Sequence, residues 1–544
     1  MSEPAPHFPY RASPDERATR PVRHPVVIAG GGPVGLAMAM DLVERGVPAV
    51  LLDEDDTVST GSRSICWAKR TLEIYDRLGC AEPMMACGVT WNLGKVFHGE
   101  KLLYEFNLLP EGGHRFPAFI NLQQNLAEEI FVAHAQSLAN RGLDLRWKNR
   151  VTGVAIHPDH VRVEIETPDG PYALDCDYLV AADGVRSTVR RALGLDFKGQ
   201  VFEDRFLITD VRMHADFPTE RRFWFDPTFH AGRSALLHRQ ANNVWRIDLQ
   251  LGPNADPEIE RQPERVTARL RKMLGPDRRF EIEWVSLYTF QCRRLERFRH
   301  GRIMFAGDSA HQVSPFGARG GNGGVQDADN LAWKLALVLQ GAAPERLLES
   351  YDAERIPAAD ENILHSTRAT DFMTPKTPAS AAFRDAALGL AERFAFARSL
   401  VNSGRLSRPA ILETSPLNTA DGGAFAPAMR PGSPCADAPI QRDDGRQSWL
   451  LRELQNGFTA LYFGDDDGAL SAVAGQTGLP VPIGTRRIGR GALGDSTGAA
   501  RERYDARPGT LYLIRPDQHV AARWRAPDAR SFRAALHRAL ALED

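Results

Sequence analysis

Short, wholly apolar runs alternate with amphipathic stretches along the first part of the chain. Val26-Val27-Ile28-Ala29 carries no polar residue, the pattern of a strand buried on both faces. From Val34 to Arg45 the apolar residues Leu36, Met40 and Val43 recur at helical spacing, and Gly46 ends the helix. Val50-Leu51-Leu52 is a second buried strand, and Arg63 to Gly79 and Asn125 to Asn140 read as two more helices. Between Val151 and Asp175 the period changes. Val161, Val163 and Ile165 alternate with polar residues around a Pro168-Asp169-Gly170 turn, which predicts a half-exposed antiparallel hairpin. Tyr178 to Ala182 and Ile303 to Ala306 return to the buried-strand pattern.

From Phe197 to Phe290 the chain is rich in strand candidates, among them Phe206-Leu207-Ile208, Phe223-Trp224-Phe225 and Val244-Trp245-Arg246-Ile247. They predict a second, antiparallel sheet inserted into the first domain. Pro344 to Thr370 and Pro375 to about Arg408 are helical in pattern, and Pro409 to Asp444 has the Pro, Gly and Asp content of a linker. Phe458 to Phe463 and Thr510 to Arg515 then read as strands, and Ser531 to Leu542 as a helix. The expected fold class is α/β. An arm covers 1–24, a discontinuous strand-helix-strand domain covers 25–195 and 296–375, and the inserted sheet domain covers 196–295. A helical segment and linker (376–429) leads to a small α/β unit (430–544).

Composition narrows the function classes. The formal net charge is -2 over 544 residues, with no long basic block, so nucleic acid is not an expected partner. No apolar run is long enough to span a bilayer, and the first 24 residues lack the apolar core of a signal peptide. Six cysteines are scattered without a C-x-x-C pair. That argues against a zinc ribbon or a redox dithiol and suits a reducing cytoplasm. No metal site is expected.

Three motifs carry chemistry. In the first, Gly30-x-Gly32-x-x-Gly35 lies between a strand and a helix, with Pro33 at the helix start and Asp53-Glu54 ending the next strand. Gly30 permits the tight turn, Gly32 lets a pyrophosphate approach the helix N-terminus, and Gly35 lets helix and strand pack closely. Asp53 is placed to accept hydrogen bonds from ribose hydroxyls. The second, Asp183-Gly184-Val185-Arg186-Ser187, follows the strand ending at Ala182 and reads equally as a turn with Ser187 capping a helix. The third runs from Gly301 to Gly324: a buried strand stops on Gly307-Asp308, and a glycine-rich loop then opens a helix. One nucleotide fold would not need all three, whereas a dinucleotide extended across a domain would.

In this order the motifs resemble the FAD-dependent aromatic hydroxylases, single-component flavoprotein monooxygenases similar to para-hydroxybenzoate hydroxylase and 3-(3-hydroxyphenyl)propionate hydroxylase. The resemblance covers about Val26 to Arg355, and Gln326 to Leu335 looks like the helix that follows the family's flavin loop. It implies a Rossmann-like FAD-binding domain, the inserted sheet as substrate domain, and a thioredoxin-like C-terminal extension without a redox pair. Position by position, Gly30, Gly32, Pro33, Gly35, Asp53 and Glu54 match the ADP end, and Arg63 matches an arginine near the pyrophosphate. Gln124 and Asp308 match groups on the ribityl chain, with Asp183 between the ends, and Pro315, Gly320, Gly321 and Asn322 match the loop over the flavin ring.

The implied reaction takes electrons from NADH or NADPH, bound transiently, and uses O2 to form a flavin C4a-hydroperoxide that a small phenolic substrate attacks. Candidates for the substrate cavity are Trp224, His230, His238, Arg246, Tyr288 and Phe290, with ordinary sheet packing the alternative for each. His238 or Tyr288 could relay the phenolic proton, with Pro315 and Arg319 as further candidates at the flavin, while His311 reads as structural. Two departures stand out. Ser314 precedes Pro315 where the family often has two prolines, and Ala318-Arg319-Gly320 replaces a more usual Gly-Gln-Gly. Arg319 either favours an anionic reduced flavin or acidic substrate, or points to solvent. A flavin oxidase or dehydrogenase, or a non-catalytic escort-type protein, is the rival reading. A monomer or homodimer is expected.

Overall fold

The computed structural model describes residues 6–61, 64–401, 406–421, 424–466, 470–471 and 478–542. Its first sheet runs, in spatial order, Arg299–His300, Ile303–Phe305, Gly170–Ala181, Val22–Ala29, Ala49–Leu52 and Leu143–Arg146. The central pairings are parallel: Val27 faces Val50 on one side and Leu179 on the other. Parallel strands need helical crossovers that cover both faces. Helix Pro33–Glu44 lies on one of them, and the later helix Gly320–Leu339 packs against it. The wholly apolar runs read from the sequence are therefore the buried strands of this sheet, with Val26, Val27 and Ile28 fully enclosed.

Two local expectations change. The helix expected from Arg63 begins only at Lys69, because Cys66–Ala68 is a strand paired with Phe119–Asn121. Tertiary pairing overrides helical spacing there, and Arg63 itself lies outside the described residues. The N-terminal arm is draped and anchored from residue 6 onward. Phe8 stacks on Trp147 at 4.5 Å, Asp15 is bridged by Arg146 at 2.5 Å, and Val22 to His24 already belong to the strand.

The second sheet is mainly antiparallel and has eight strands. Its order is His311–Gln312, Glu281–Arg294, Lys198–Arg212, Val244–Gly252, Ser234–Arg239, Arg221–Phe225, Leu93–His98 and Lys101–Asn107. The last two come from far upstream, and Leu93–His98 pairs parallel with Arg221–Phe225. The sequence reading did not place them there. One face of this sheet packs an apolar cluster on helix Pro263–Leu274 through Val266 and Leu270. The other face looks toward the loop from Val313 to Asn322.

The C-terminal sheet runs Ile483–Ile488, Phe458–Phe463, Thr510–Ile514, Val520–Trp524, with helix Ala529–Ala539 against it. It docks on helix Gly320–Leu339, where Trp333 meets Phe458 edge-on at 5.8 Å. Beside that contact lies a buried ionic cluster. Glu354 accepts from Lys334 Nζ at 2.7 Å and from Arg515 Nη1 at 2.5 Å, and Arg515 also pairs with Asp517 at 2.5 Å. Cys435 is a buried free thiol, pushed up to about 12 by burial.

Candidate active site

The glycine turn after the first strand is built for close approach. Gly30 sits at φ 102°, and a Cβ there would fall 2.5 Å from the Ala182 carbonyl oxygen. A Cβ on Gly35 would come within 1.9 Å of the Gly30 carbonyl oxygen, so helix and strand pack only because both residues are glycine. At Gly32 the same test meets nothing within 4 Å. Of the three fingerprint glycines only Gly32 leaves space open, at the N-terminus of helix Pro33–Glu44, where a pyrophosphate would be stabilised by free backbone N–H groups. Asp53 accepts from the Gly31 N–H at 2.5 Å and from the Asp55 N–H at 2.8 Å. Burial pushes its carboxyl up to about 6. Glu54 beside it is exposed.

Asp183 lies against this turn. Its Oδ2 accepts from the Val189 N–H at 3.1 Å, and its Oδ1 is buried with no partner among the described residues. Ser187 does cap the short helix Thr188–Ala192, accepting from the Arg190 N–H at 3.0 Å. Motif and cap therefore coexist. Gln124 accepts from the N–H of Ser64, a residue of the cavity wall, at 3.0 Å and donates to Glu128 at 2.8 Å.

The Gly307-Asp308 turn is fixed from behind. Asp327 accepts from the Gly307 N–H at 3.0 Å, meets His311 Nε2 at 2.6 Å, and accepts from Arg355 Nε at 2.7 Å. Burial alone would raise the Asp327 carboxyl, but His311 and Arg355 outweigh it and hold it below the usual range. With Gly307 anchored, the Asp308 side chain stays exposed on the cavity wall.

The loop that follows turns at Ala318, whose φ is 54° and whose N–H donates to the Pro315 carbonyl at 3.0 Å. Pro315 is exposed to the cavity, and Gly320 and Gly321 open the helix beneath it. Asn322 pins the loop to strand Cys66–Ala68, accepting from the Ala68 N–H at 2.8 Å and donating to the Cys66 carbonyl at 2.8 Å. Arg319 does not point to solvent. It is 5% exposed and its Nη1 donates to the Phe316 carbonyl at 2.9 Å.

Loop and sheet enclose a cavity of about 380 Å3. His238, Arg246, Tyr288 and Phe290 line it. Trp224 and His230 do not, which corrects two substrate candidates. Strand Arg221–Phe225 alternates, so Arg221 faces the cavity while Trp224 packs in the opposite cluster on Phe97 at 5.2 Å. His230 meets the Gln250 carbonyl at 2.6 Å, away from the cavity.

Among the cavity residues that escaped the sequence reading are Arg221, Asp248 and Trp284. The signal for Asp248 was its spacing of two from Arg246 on one strand, which puts both on one face. Arg246 is clamped by Asp210, with Nε on Oδ1 at 2.8 Å and Nη2 on Oδ2 at 2.7 Å. Asp248 Oδ1 and His238 Nε2, by contrast, are buried with no partner among the described residues. Burial pushes Asp248 up to about 6, opposed by Arg246 and Arg221, and pushes His238 well below its ordinary value. His238 is therefore neutral at neutral pH.

The open Gly32 at a helix start and the orphaned buried carboxylate oxygen at Asp183 fit the class of dinucleotide-binding Rossmann-like proteins. The comparisons narrow this class. Residues 23–366 match the FAD binding domain family, and the chain belongs to it. The chain is 33% identical to 6-methylpretetramide 4-monooxygenase of Streptomyces rimosus, covering 92% of this chain and 90% of that one. It is 27% identical to the 3-(3-hydroxy-phenyl)propionate/3-hydroxycinnamic acid hydroxylase of Mycolicibacterium smegmatis, over 91% and 90% of the two chains. The crystal structure of the flavin-dependent monooxygenase PieE with FAD and substrate superposes with a TM-score of 0.83 at 24% identity, covering 96% of this chain and 100% of that one. The protein is an FAD-dependent monooxygenase of the aromatic hydroxylase type. Among the described residues no helix is long and apolar enough to cross a membrane.

Proposed function

We propose that this protein hydroxylates a phenolic ring held between the Pro315–Asn322 loop and the sheet patch of His238, Arg246 and Asp248, with NADH or NADPH as electron donor and O2 as co-substrate. The observation that carries the reading is a pair of buried polar atoms without a partner among the described residues, Asp248 Oδ1 and His238 Nε2, across one cavity from the loop. Buried polar atoms without partners are rare, and they suit a ligand that supplies the missing hydrogen-bond partner. The hydroxyphenyl group in the name of the Mycolicibacterium smegmatis relative supports a phenolic ring.

The residues divide the work. Gly32, Asp53, Asp183 and Asp308 would hold the dinucleotide, and the backbone N–H groups that start helix Gly320–Leu339 would stabilise negative charge at the pyrimidine edge of the ring. FAD, when bound, supplies the oxygen-activating redox chemistry. Asp248, at about 6, is ionised at neutral pH and accepts the proton from the phenolic hydroxyl, which makes the ring electron-rich. Neutral His238, in the tautomer with its proton on Nε2, donates a hydrogen bond to the phenolate oxygen that results. Arg246, neutralised by Asp210, holds its place on the wall. The enclosing loop keeps water from the reacting atoms, which limits wasteful peroxide release.

The test is NAD(P)H oxidation by the FAD-loaded protein across a panel of phenols, with hydroxylated product and peroxide both quantified. Stimulation by a phenol with matching product is expected. Oxidation that no phenol stimulates, with peroxide as the only product, overturns the reading.

A further inference from the structure

The loop from Pro315 to Asn322 leads into helix Gly320–Leu339. Asn322 pins it to strand Cys66–Ala68, which runs directly into helix Lys69–Arg77. Seven residues beyond Asn322, about 10 Å along the helix, the same two helices are tied again. Asp329 accepts from Arg70 Nη2 at 3.1 Å and from Arg77 Nη2 at 2.8 Å. A helix fastened at one point can pivot about it, and a second tie removes that freedom.

The second tie is completed from the C-terminal unit. Arg70 is 3% exposed, and further N–H groups of its guanidinium reach that unit: Nη2 donates to the Asp517 carbonyl at 2.7 Å and Nη1 to Gln518 Oε1 at 3.2 Å. Both acceptors lie in the turn at 515–518, between strands Thr510–Ile514 and Val520–Trp524. Arg70 Nε is buried with no partner among the described residues. Loss of the two acceptors would leave a buried charge still less satisfied. The turn holds an unfavourable conformation to make this contact. Gln518 takes φ 53°, a left-handed geometry that costs free energy in any residue but glycine. Its N–H donates to the Arg515 carbonyl at 2.9 Å, and its carbonyl accepts from the Cys435 N–H at 2.8 Å. Its side chain donates to the Leu451 carbonyl at 3.1 Å while accepting from Arg70.

We propose that the turn at 515–518 positions the flavin loop: Asp517 and Gln518 hold Arg70, Arg70 holds helix Lys69–Arg77 to helix Gly320–Leu339, and the loop keeps its closed form through that tie. Arg70 and Gln518 are then positioning residues, acting on the cofactor through Asn322 and the helix start. The C-terminal unit, which carries no C-x-x-C pair, gains a task at the flavin without redox chemistry of its own. The proposal concerns the cofactor end of the site and holds whichever ring is hydroxylated.

The experiment uses the full-length, FAD-loaded protein. It reads amide hydrogen exchange in segments 64–70 and 315–325, the visible circular dichroism of the bound flavin, and the Kd for FAD by flavin fluorescence. Gln518→Gly removes the acceptor and relieves the left-handed turn, so its Tm is expected within about 2 °C of the parent. Exchange in both segments is nevertheless expected to quicken by roughly five-fold or more, with a similar rise in Kd and a changed flavin signal. Arg70→Met does the same, and the double variant is no worse than Arg70→Met alone, because both act along one path. Phe532→Leu, in the apolar core of the C-terminal unit, lowers Tm and leaves the three readouts unchanged. Where Arg70→Met does not fold, as far-UV circular dichroism and Tm show, Gln518→Gly decides alone. Loop exchange at the parent rate in folded Gln518→Gly overturns the proposal, whatever happens to the Kd. Equal loosening of the loop by Phe532→Leu also overturns it, since the general stability of the C-terminal unit would then be the cause.

Discussion

Asp248 shows how one side chain couples stability to chemistry. Its carboxyl is pushed from the ordinary range to about 6 by burial, so above that pH the folded protein holds a poorly solvated carboxylate. An acid whose folded value is raised destabilises the native state as pH climbs from its unfolded value, about 3.9, through its folded value. Asp248→Asn should therefore raise Tm at mildly alkaline pH, with the gain disappearing at pH below about 4. If Asp248 takes the phenolic proton as proposed, hydroxylation by the parent should rise through about pH 6, and the same variant should lose that rise. Thermal melts and pH–rate profiles of the two proteins check both halves, and a parallel profile in the variant would remove Asp248 from proton transfer. His238 and Trp224 were equally good candidates as residue types. Only the register of their strands separates them, since His238 pairs with Arg246 on the cavity face while Trp224 pairs with Ala235 on the other.

At the scale of elements, the turn at Gly307-Asp308 depends on a helix that follows it. Asp327, on helix Gly320–Leu339, ties Gly307, His311 and Arg355 together with every group buried. Asp327→Asn removes the charge that Arg355 and His311 meet, and hydrogen bonds to charged groups contribute about 1.5–3 kcal/mol. The Asp308 turn should loosen, and the Kd for FAD should rise by roughly ten-fold or more. Flavin fluorescence on dilution measures this directly, and an unchanged Kd would show that the turn holds itself. The strand and the glycine loop were legible from their patterns. The Asp327 hub was not, because an Asp within a helical stretch looks the same whether it meets solvent or three buried partners. The upstream strands Leu93–His98 and Lys101–Asn107 escaped for a similar reason. Their pattern marks strands, but no local feature says that the partner is Arg221–Phe225, more than a hundred residues later.

Across the whole molecule, the C-terminal unit is bound to the FAD domain by buried charge as well as apolar contact. Burial alone would raise the Glu354 carboxyl, yet Arg515 and Lys334 hold it well below the usual range. Lys334 itself is lowered to about 8, chiefly by burial. Removing one partner of such a cluster leaves the others uncompensated, so Glu354→Gln should cost about 3–5 kcal/mol. Urea denaturation measures that loss. A change within about 0.5 kcal/mol, as expected of a surface site, would show that the cluster does not hold the two units together.

By itself the sequence determined what local pattern can encode: the buried parallel strands, the glycine turns, the order of three nucleotide motifs and hence the FAD family. The strands and turns follow from backbone sterics and hydrophobic periodicity, which act within a few residues, and the family follows from the resemblance that the ordered motifs carry. Tertiary structure decided which side chains share a wall. The strand register put Arg221, His238, Arg246 and Asp248 around one space, turned Trp224 and His230 away from it, and drew Arg319 inward. A cavity is made of residues distant in the chain, and a shift of one position along a strand reverses which face a side chain takes. That is why the cofactor was legible from the sequence and the substrate wall required the fold.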